Sequence, residues 1–277
     1  MTLTNTNHTV LVMRRSGLTL IELLVTIGIV AALIAVLIPS LHRSRIQARA
    51  TICTSNIRQL SFALGTYASD NDRFPCGFDN TPTEPPPGGY PGYHQYNRMG
   101  WWWFNYLEGL YEKNMGRWTV LQCPFKNLQH PKLKDDILCG NYGVNLTICK
   151  MSSGRARWKE FIGEPLTSIE VPRPSQTLLL VDSGYAIISW LHASDIPPVP
   201  LNNSVVEDTA YVPGLKINKD RLLWPGQNYD ALYGRHPRKT VNIGYLDGHV
   251  ELTRADDLLV KKSSEGYRNL VPLWCPK

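Results

Sequence analysis

The sequence predicts an α+β protein in which a long N-terminal helical spine packs on a C-terminal antiparallel β-sheet domain. The spine is membrane-embedded in its first half and amphipathic in its second. Three observations carry this expectation. An apolar run of 21 residues, Leu18 to Ile38, holds a single charged residue, Glu22. Beyond it Ile46, Ala50, Cys53, Ile57, Leu60, Leu64 and Tyr67 recur at spacings of four and three, the stripe of a helix with one buried face. Near the C-terminus two β-prone runs flank Asp247–Gly248 and read as a hairpin.

At a rise of ~1.5 Å per residue the apolar run is about 30 Å long, the thickness of a bilayer's hydrocarbon core. A secretory signal peptide fits poorly, because the run ends in Ile38-Pro39-Ser40 and a basic segment instead of a small-x-small cleavage site. A twin-arginine signal starting at Arg14 and Arg15, or a plain single-pass anchor, would use the same residues. The plain anchor gives no reason for a carboxylate within the first turn and a half, where burial in hydrocarbon is expensive. The helix is expected to run from Leu18 to about Ser69, with Asp70, Asp72 and Pro75 ending it.

The 277 residues leave roughly 200 for one globular domain, enough for a core. A hydrophobic share of 43% is too low for a multi-span membrane protein and too high for disorder. The net charge of +6 comes from scattered Lys and Arg with no basic stripe, so nucleic acid is not an expected partner. Six cysteines without a CxxC pair, behind an export segment, favour one or two disulfides in an oxidising compartment. Cys139 and Cys149 are the preferred pair.

Within the globular part, Phe74 to Tyr93 is dense in Pro and Gly and reads as a surface loop. In WWWFNYLEGLYEKN, Trp101, Phe104, Leu107 and Tyr111 fall near helical spacing, predicting a short helix whose aromatics pack a core. LQCPFKN and LCGNYGVNLTIC place cysteines around short β-prone stretches, with Cys139 and Cys149 flanking a Gly-containing turn. Thr177 to Val181 reads as a buried central strand ending in Asp182, and Ser194 to Trp224 as loop. The hairpin is expected as Thr240 to Leu246, a type I′ turn at Asp247–Gly248, and His249 to Leu252, with His236 bracing it.

RRSGLTLIELLVTIGIVAALIAVLIP closely resembles the N-terminal signature of type IV pilins and type II secretion pseudopilins. The resemblance implies cleavage after Gly17 by a prepilin peptidase and methylation of the new N-terminus, Leu18, which stands where the family usually has phenylalanine. Glu22 then occupies the fifth mature position and Pro39 the twenty-second, both matching the family pattern. The upstream LQCPF, NYGVN and PSQTLLLVDS, with His236, a spacer and Asp247–Gly248, look like a prepilin-type family whose domain ends in a His, spacer, Asp-Gly motif. The implied organisation is a leader (1–17), a transmembrane assembly helix (18–39), an amphipathic spine (40–72) and an extracytoplasmic domain (73–277). The implied partners are the peptidase, other pilin or pseudopilin subunits, an inner-membrane assembly platform and the bilayer. The implied location is the inner membrane, single-pass, with the domain in the periplasm or outside the cell, and a filament after assembly.

A carboxylate in lipid needs compensation, and an incoming subunit's N-terminal ammonium would supply it, making Glu22 a registry device. His236, His249, Asp182 and Asp247 could converge as a divalent-metal cluster. The turn chemistry of Asp-Gly explains itself without a ligand, and the spacing matches no diagnostic metal pattern, so neither metal nor cofactor is expected. GxSxG, P-loop and Rossmann patterns are absent from the sequence, so catalysis has no visible home and an enzyme is not expected. The expected function is a structural subunit of a type IV pilus-like or type II pseudopilus filament. The alternative is a membrane-anchored binding module for a glycan, through the tryptophans, or for a metal.

Overall fold

The structure is a computed structural model, described here for residues 19–86, 99–107, 119–153, 156–195, 210–221, 223, 226–264 and 266–276. The chain divides into two compact units, Met1–Gln47 and Ala48–Lys277. A single helix, α1 (Leu20–Asp70), runs through the described part of the first and into the second. It ends within a residue of the predicted stop.

In the first unit α1 starts with a reciprocal cap. The Thr19 backbone N–H and hydroxyl both donate to Glu22 Oε2 at 2.8 Å, while Glu22 N–H faces Thr19 Oγ1 at 3.4 Å. Its apolar side chains from Leu20 to Leu41 are exposed, and it is the one described helix long and apolar enough to cross a bilayer. Hydroxyls on this segment bond back to the helix: Thr26 to Leu23 O and Ser40 to Leu37 O, each at 2.8 Å. Pro39 lies inside the helix, which continues past it although proline brings no N–H.

In the second unit the distal part of α1 buries Cys53, Asn56, Ile57, Leu60, Ser61, Leu64 and Ala68. The stripe was therefore legible, with Ile46, Ala50 and Tyr67 half-buried at its margins. The main sheet has five strands in the order β5-β3-β4-β6-β7: β3 is Tyr142–Asn145, β4 Leu178–Asp182, β5 Ile187–Ile188, β6 Thr240–Tyr245 and β7 Val250–Arg254. All neighbours are antiparallel except β3 and β5. β4 is central and buried along its whole length, as its uninterrupted Leu-Leu-Leu-Val run predicts. The spine lies directly on β6. A Cβ added at Gly244 would collide with Ser61 Oγ and come within 2.9 Å of Ile57 Cγ2. Two small antiparallel pairs complete the strands, β1 (Phe78–Asp79) with β2 (Trp101–Trp102), and β8 (Lys261–Ser263) with β9 (Gly266–Arg268).

Several expectations need correction. Trp101 to Leu107 form no α-helix: Trp101–Trp102 is strand β2, followed by a 3-10 turn at Trp103–Tyr106, and residues 108–118 lie outside the described set. Trp102, Trp103 and Phe104 are nonetheless core, at 1–2% exposure, and within this cluster of three tryptophans Trp101 is the half-buried one. The stretch between Cys139 and Cys149 holds strand β3 and then a turn at residues 146–148. All six cysteines are free, so the expected disulfide is not formed. Cys139 lies near Asp136, Lys126 and Arg235, whereas Cys149 lies near Cys76. In the tract read as loop, residues 196–209, 222 and 224 lie outside the described set, but Tyr211, Val212 and Leu215 are buried.

The hairpin is present with a different turn. Gly248 N–H donates to Tyr245 O at 3.0 Å, and Gly248 alone of the loop residues has positive φ, +87°. That is a three-residue loop, a type I turn closed by a glycine bulge, and not the type I′ turn that needs positive φ at Asp247 as well. His236 does not brace this loop: it precedes β6, while Asp247 and Gly248 follow it.

Candidate functional site

Four segments far apart in sequence meet under the spine. Cys53 comes from the buried face of α1. Cys123 follows the 3-10 turn Thr119–Leu121. Asp182 ends β4, and His236 sits between helix α2 (Asn228–Tyr233) and β6. Cys53 Sγ lies 3.7 Å from Cys123 Sγ, 3.5 Å from Asp182 Oδ1 and 3.5 Å from His236 Nε2. His236 Nε2 lies 3.1 Å from Asp182 Oδ2. The four donor atoms all fall within 4.8 Å of one another, and none of the four residues exceeds 4% exposure.

A surrounding layer orients these groups. The Asn242 backbone N–H and side-chain amide both donate to Asp182 Oδ2, at 2.7 and 3.1 Å, and the same amide nitrogen lies 3.4 Å from Cys53 Sγ. Thr54 Oγ1 holds that amide in place by donating to its oxygen at 2.7 Å. Tyr142 donates its hydroxyl to Cys53 Sγ at 3.3 Å and is itself contacted by Asn56 Nδ2 at 3.2 Å. The Cys123 N–H is fixed by Asn141 Oδ1 at 3.0 Å. Behind them Arg235 is fully buried and fully used: it forks onto Asp230 at 2.8 Å and donates to Asn141 O at 2.7 Å and Ser183 O at 2.6 Å. One guanidinium thus holds both Asn141, which fixes the Cys123 N–H, and Ser183, which follows Asp182.

The electrostatics follow from this packing. Burial alone would raise the Asp182 carboxyl, but His236, Arg235 and the Asn242 N–H together hold it below the usual carboxylate range. Burial would lower His236, yet Asp182 and then Cys123 push it up to about 10. Burial, reinforced by Cys123 and Asp182, pushes the Cys53 thiol far up. Cys123 falls to about 6 despite its burial, through hydrogen bonds with Cys53 and His236. A thiolate beside an imidazolium can serve as a nucleophile, but a nucleophile must be reachable, and this one is sealed.

Of the residues singled out in sequence, Gly17 and Leu18 lie outside the described set. Glu22 finds a partner within its own chain, in the Thr19 cap. Of the four residues weighed as a metal cluster, the structure unites His236 and Asp182 and separates them from Asp247 and His249. Those two form a local pair at the exposed hairpin loop, with His249 stacked on Tyr245 at 4.1 Å. Cys53, Cys123, Asn242 and Arg235 were missed as a group. Asn242 carried a signal, a lone polar residue in the apolar strand Val241 to Tyr245, and Cys53 was legible only as a member of the helix stripe. No family model, curated protein or solved structure matches the chain.

Proposed function

We propose that the chain is a pilin-like subunit: a membrane-anchored precursor, processed after Gly17 and assembled through its N-terminal helix into a filament that displays the C-terminal domain. The observation that carries this reading is the division of labour along α1. Its apolar first part has every large side chain from Leu20 to Leu41 exposed, while its distal part completes the core of the sheet domain. A helix that needed only to anchor would have no reason to be continuous with the core, and one that needed only to fold would not expose its apolar run. Exposed apolar surface of this kind suits lipid first and neighbouring copies of the same helix afterwards.

The Thr19–Glu22 cap offers a competing account of Glu22, since a capping box needs an acceptor and no assembly role. The two accounts part at Glu22→Gln, which keeps an acceptor for the cap and removes the charge. The assembly role predicts that Glu22→Gln and Glu22→Leu both insert in the membrane and both fail to enter filaments. If Glu22→Gln assembles normally, the carboxylate serves the cap alone. Mass spectrometry of the membrane-associated protein is the primary test, with a mature N-terminus at Leu18 expected and the intact precursor expected for Gly17→Glu. Cleavage elsewhere, or none in the native host, sinks the reading.

A further inference from the structure

We propose that Cys53, Cys123, Asp182 and His236 form a structural zinc site that staples the spine helix to the sheet. The separations are those of a tetrahedral cage. With Zn–S bonds of about 2.3 Å and Zn–N of about 2.0–2.1 Å, a tetrahedron has an S to S edge of about 3.8 Å and an S to N edge of about 3.5 Å. The structure has 3.7 Å between the sulfurs and 3.5 Å from Cys53 Sγ to His236 Nε2. The Asp182 carboxylate is close to both, with Oδ1 3.5 Å from Cys53 Sγ and Oδ2 3.1 Å from His236 Nε2. A disulfide would need the sulfurs at about 2.05 Å, so the pair is spaced for a shared ion and not for a bond.

The outer layer points the same way. Tyr142 donates to Cys53 Sγ, the Asn242 backbone N–H donates to Asp182 Oδ2, and the Asn242 amide nitrogen caps one face of the cluster, 3.4 Å from Cys53 Sγ and 3.1 Å from both Asp182 Oδ2 and His236 Nε2. Such second-layer donors orient anionic ligands and hold them together. Two sulfurs and an imidazole select zinc over magnesium or calcium, which take oxygen. Four protein ligands with no exposed face describe a closed structural site and not a catalytic one, which keeps a position open. Two thiolates and a carboxylate around a divalent ion leave one net negative charge, and the nearby Arg235 guanidinium offsets it. The proposal stands independently of the assembly reading, because it involves neither the leader nor the exposed part of α1.

The test uses the full chain, extracted in detergent and purified without chelator. Elemental analysis should find about one zinc per chain. Exchange for cobalt should give visible d–d bands with thiolate charge-transfer bands in the near ultraviolet. Cys53→Ser and Cys123→Ser should each lower bound metal at least tenfold, while His249→Ala and Asp247→Asn leave it unchanged. The cobalt spectrum of wild type reads the ligands directly, so the proposal stays testable if a cysteine variant fails to fold. The proposal is overturned if wild type carries no zinc and gives no thiolate–cobalt bands, if Cys53→Ser keeps its metal, or if mass spectrometry finds Cys53 and Cys123 joined as a disulfide.

Discussion

Gly244→Ala probes the contact on which the fold depends, the seating of α1 on β6. The new Cβ would overlap Ser61 Oγ and stand 2.9 Å from Ile57 Cγ2, where ordinary contact begins near 3.4 Å. The Ser61 hydroxyl could rotate away, but Ile57 is β-branched on a helix and holds one χ1 rotamer, so the helix itself must lift. Overpacking of this kind costs about 1–3 kcal/mol. Ser61 Oγ is buried without a hydrogen-bond partner among the described residues, so Ser61→Ala should be neutral or stabilising by up to about 1 kcal/mol. In the Ser61→Ala background the oxygen clash is gone and only the Ile57 contact remains. Gly244→Ala should then cost about 1 kcal/mol less than in wild type, a coupling that a double-mutant cycle isolates. Urea unfolding of the four proteins in the same detergent, followed by tryptophan fluorescence, measures it. Strictly additive effects, or a Gly244→Ala protein as stable as wild type, would refute the close approach of helix and strand.

Three further predictions rest on other parts of the domain. Asp230→Asn should cost about 3–5 kcal/mol in urea unfolding, since it strands Arg235 as a buried charge, and Arg235→Met added to it should recover part of the loss. Gly248→Ala should cost about 1–2 kcal/mol by the same measurement because of its φ of +87°, for there is open space where the methyl would go. Burial, with the Arg221 charge adding to it, depresses His192 from 6.5 to about 3. The unfolded chain therefore takes up a proton below pH 6.5 that the native state refuses. The contribution of His192 is fully present above pH 6.5 and is lost as pH falls toward 3, by at most about 1.4 kcal/mol per pH unit. His192→Asn, which offers an acceptor for the Ser189 N–H, should lose less stability than wild type between pH 7 and pH 5. Parallel slopes would refute this account.

The elements legible in the sequence were those with a clean period or a clear stop. The spine stripe, its end at Asp70, the buried β4 run and the β6–β7 hairpin all follow from local patterns. Elements set by tertiary contact were not legible. Trp101–Trp102 carries helical spacing but pairs with Phe78–Asp79, and the short 3-10 turns have no period to display. The Cys53, Cys123, Asp182 and His236 cluster lay beyond local reading for the same reason, its members standing up to 183 positions apart. His236 and Asp247 look like partners because they are close in sequence, yet β6 carries them to opposite ends of the strand.

The face of α1 that completes the core also sets the order in which the domain can form. Chains emerge N-terminus first, so Ile57, Leu60 and Leu64 are present long before β6 and β7, the strands that follow some 180 residues later. Contacts this distant carry a large loop-closure cost and are late to be repaid, which makes the domain a slow folder for its size. Tyr142, Val144 and Leu180 can pack against the helix as soon as they are made, but until Thr240–Tyr245 arrives the patch at Ile57 and Ser61 that seats Gly244 stays wet and adhesive. Quality control by chaperones or proteases would find its signal there: an uncovered patch at Ile57 and Ser61 marks an unfinished domain.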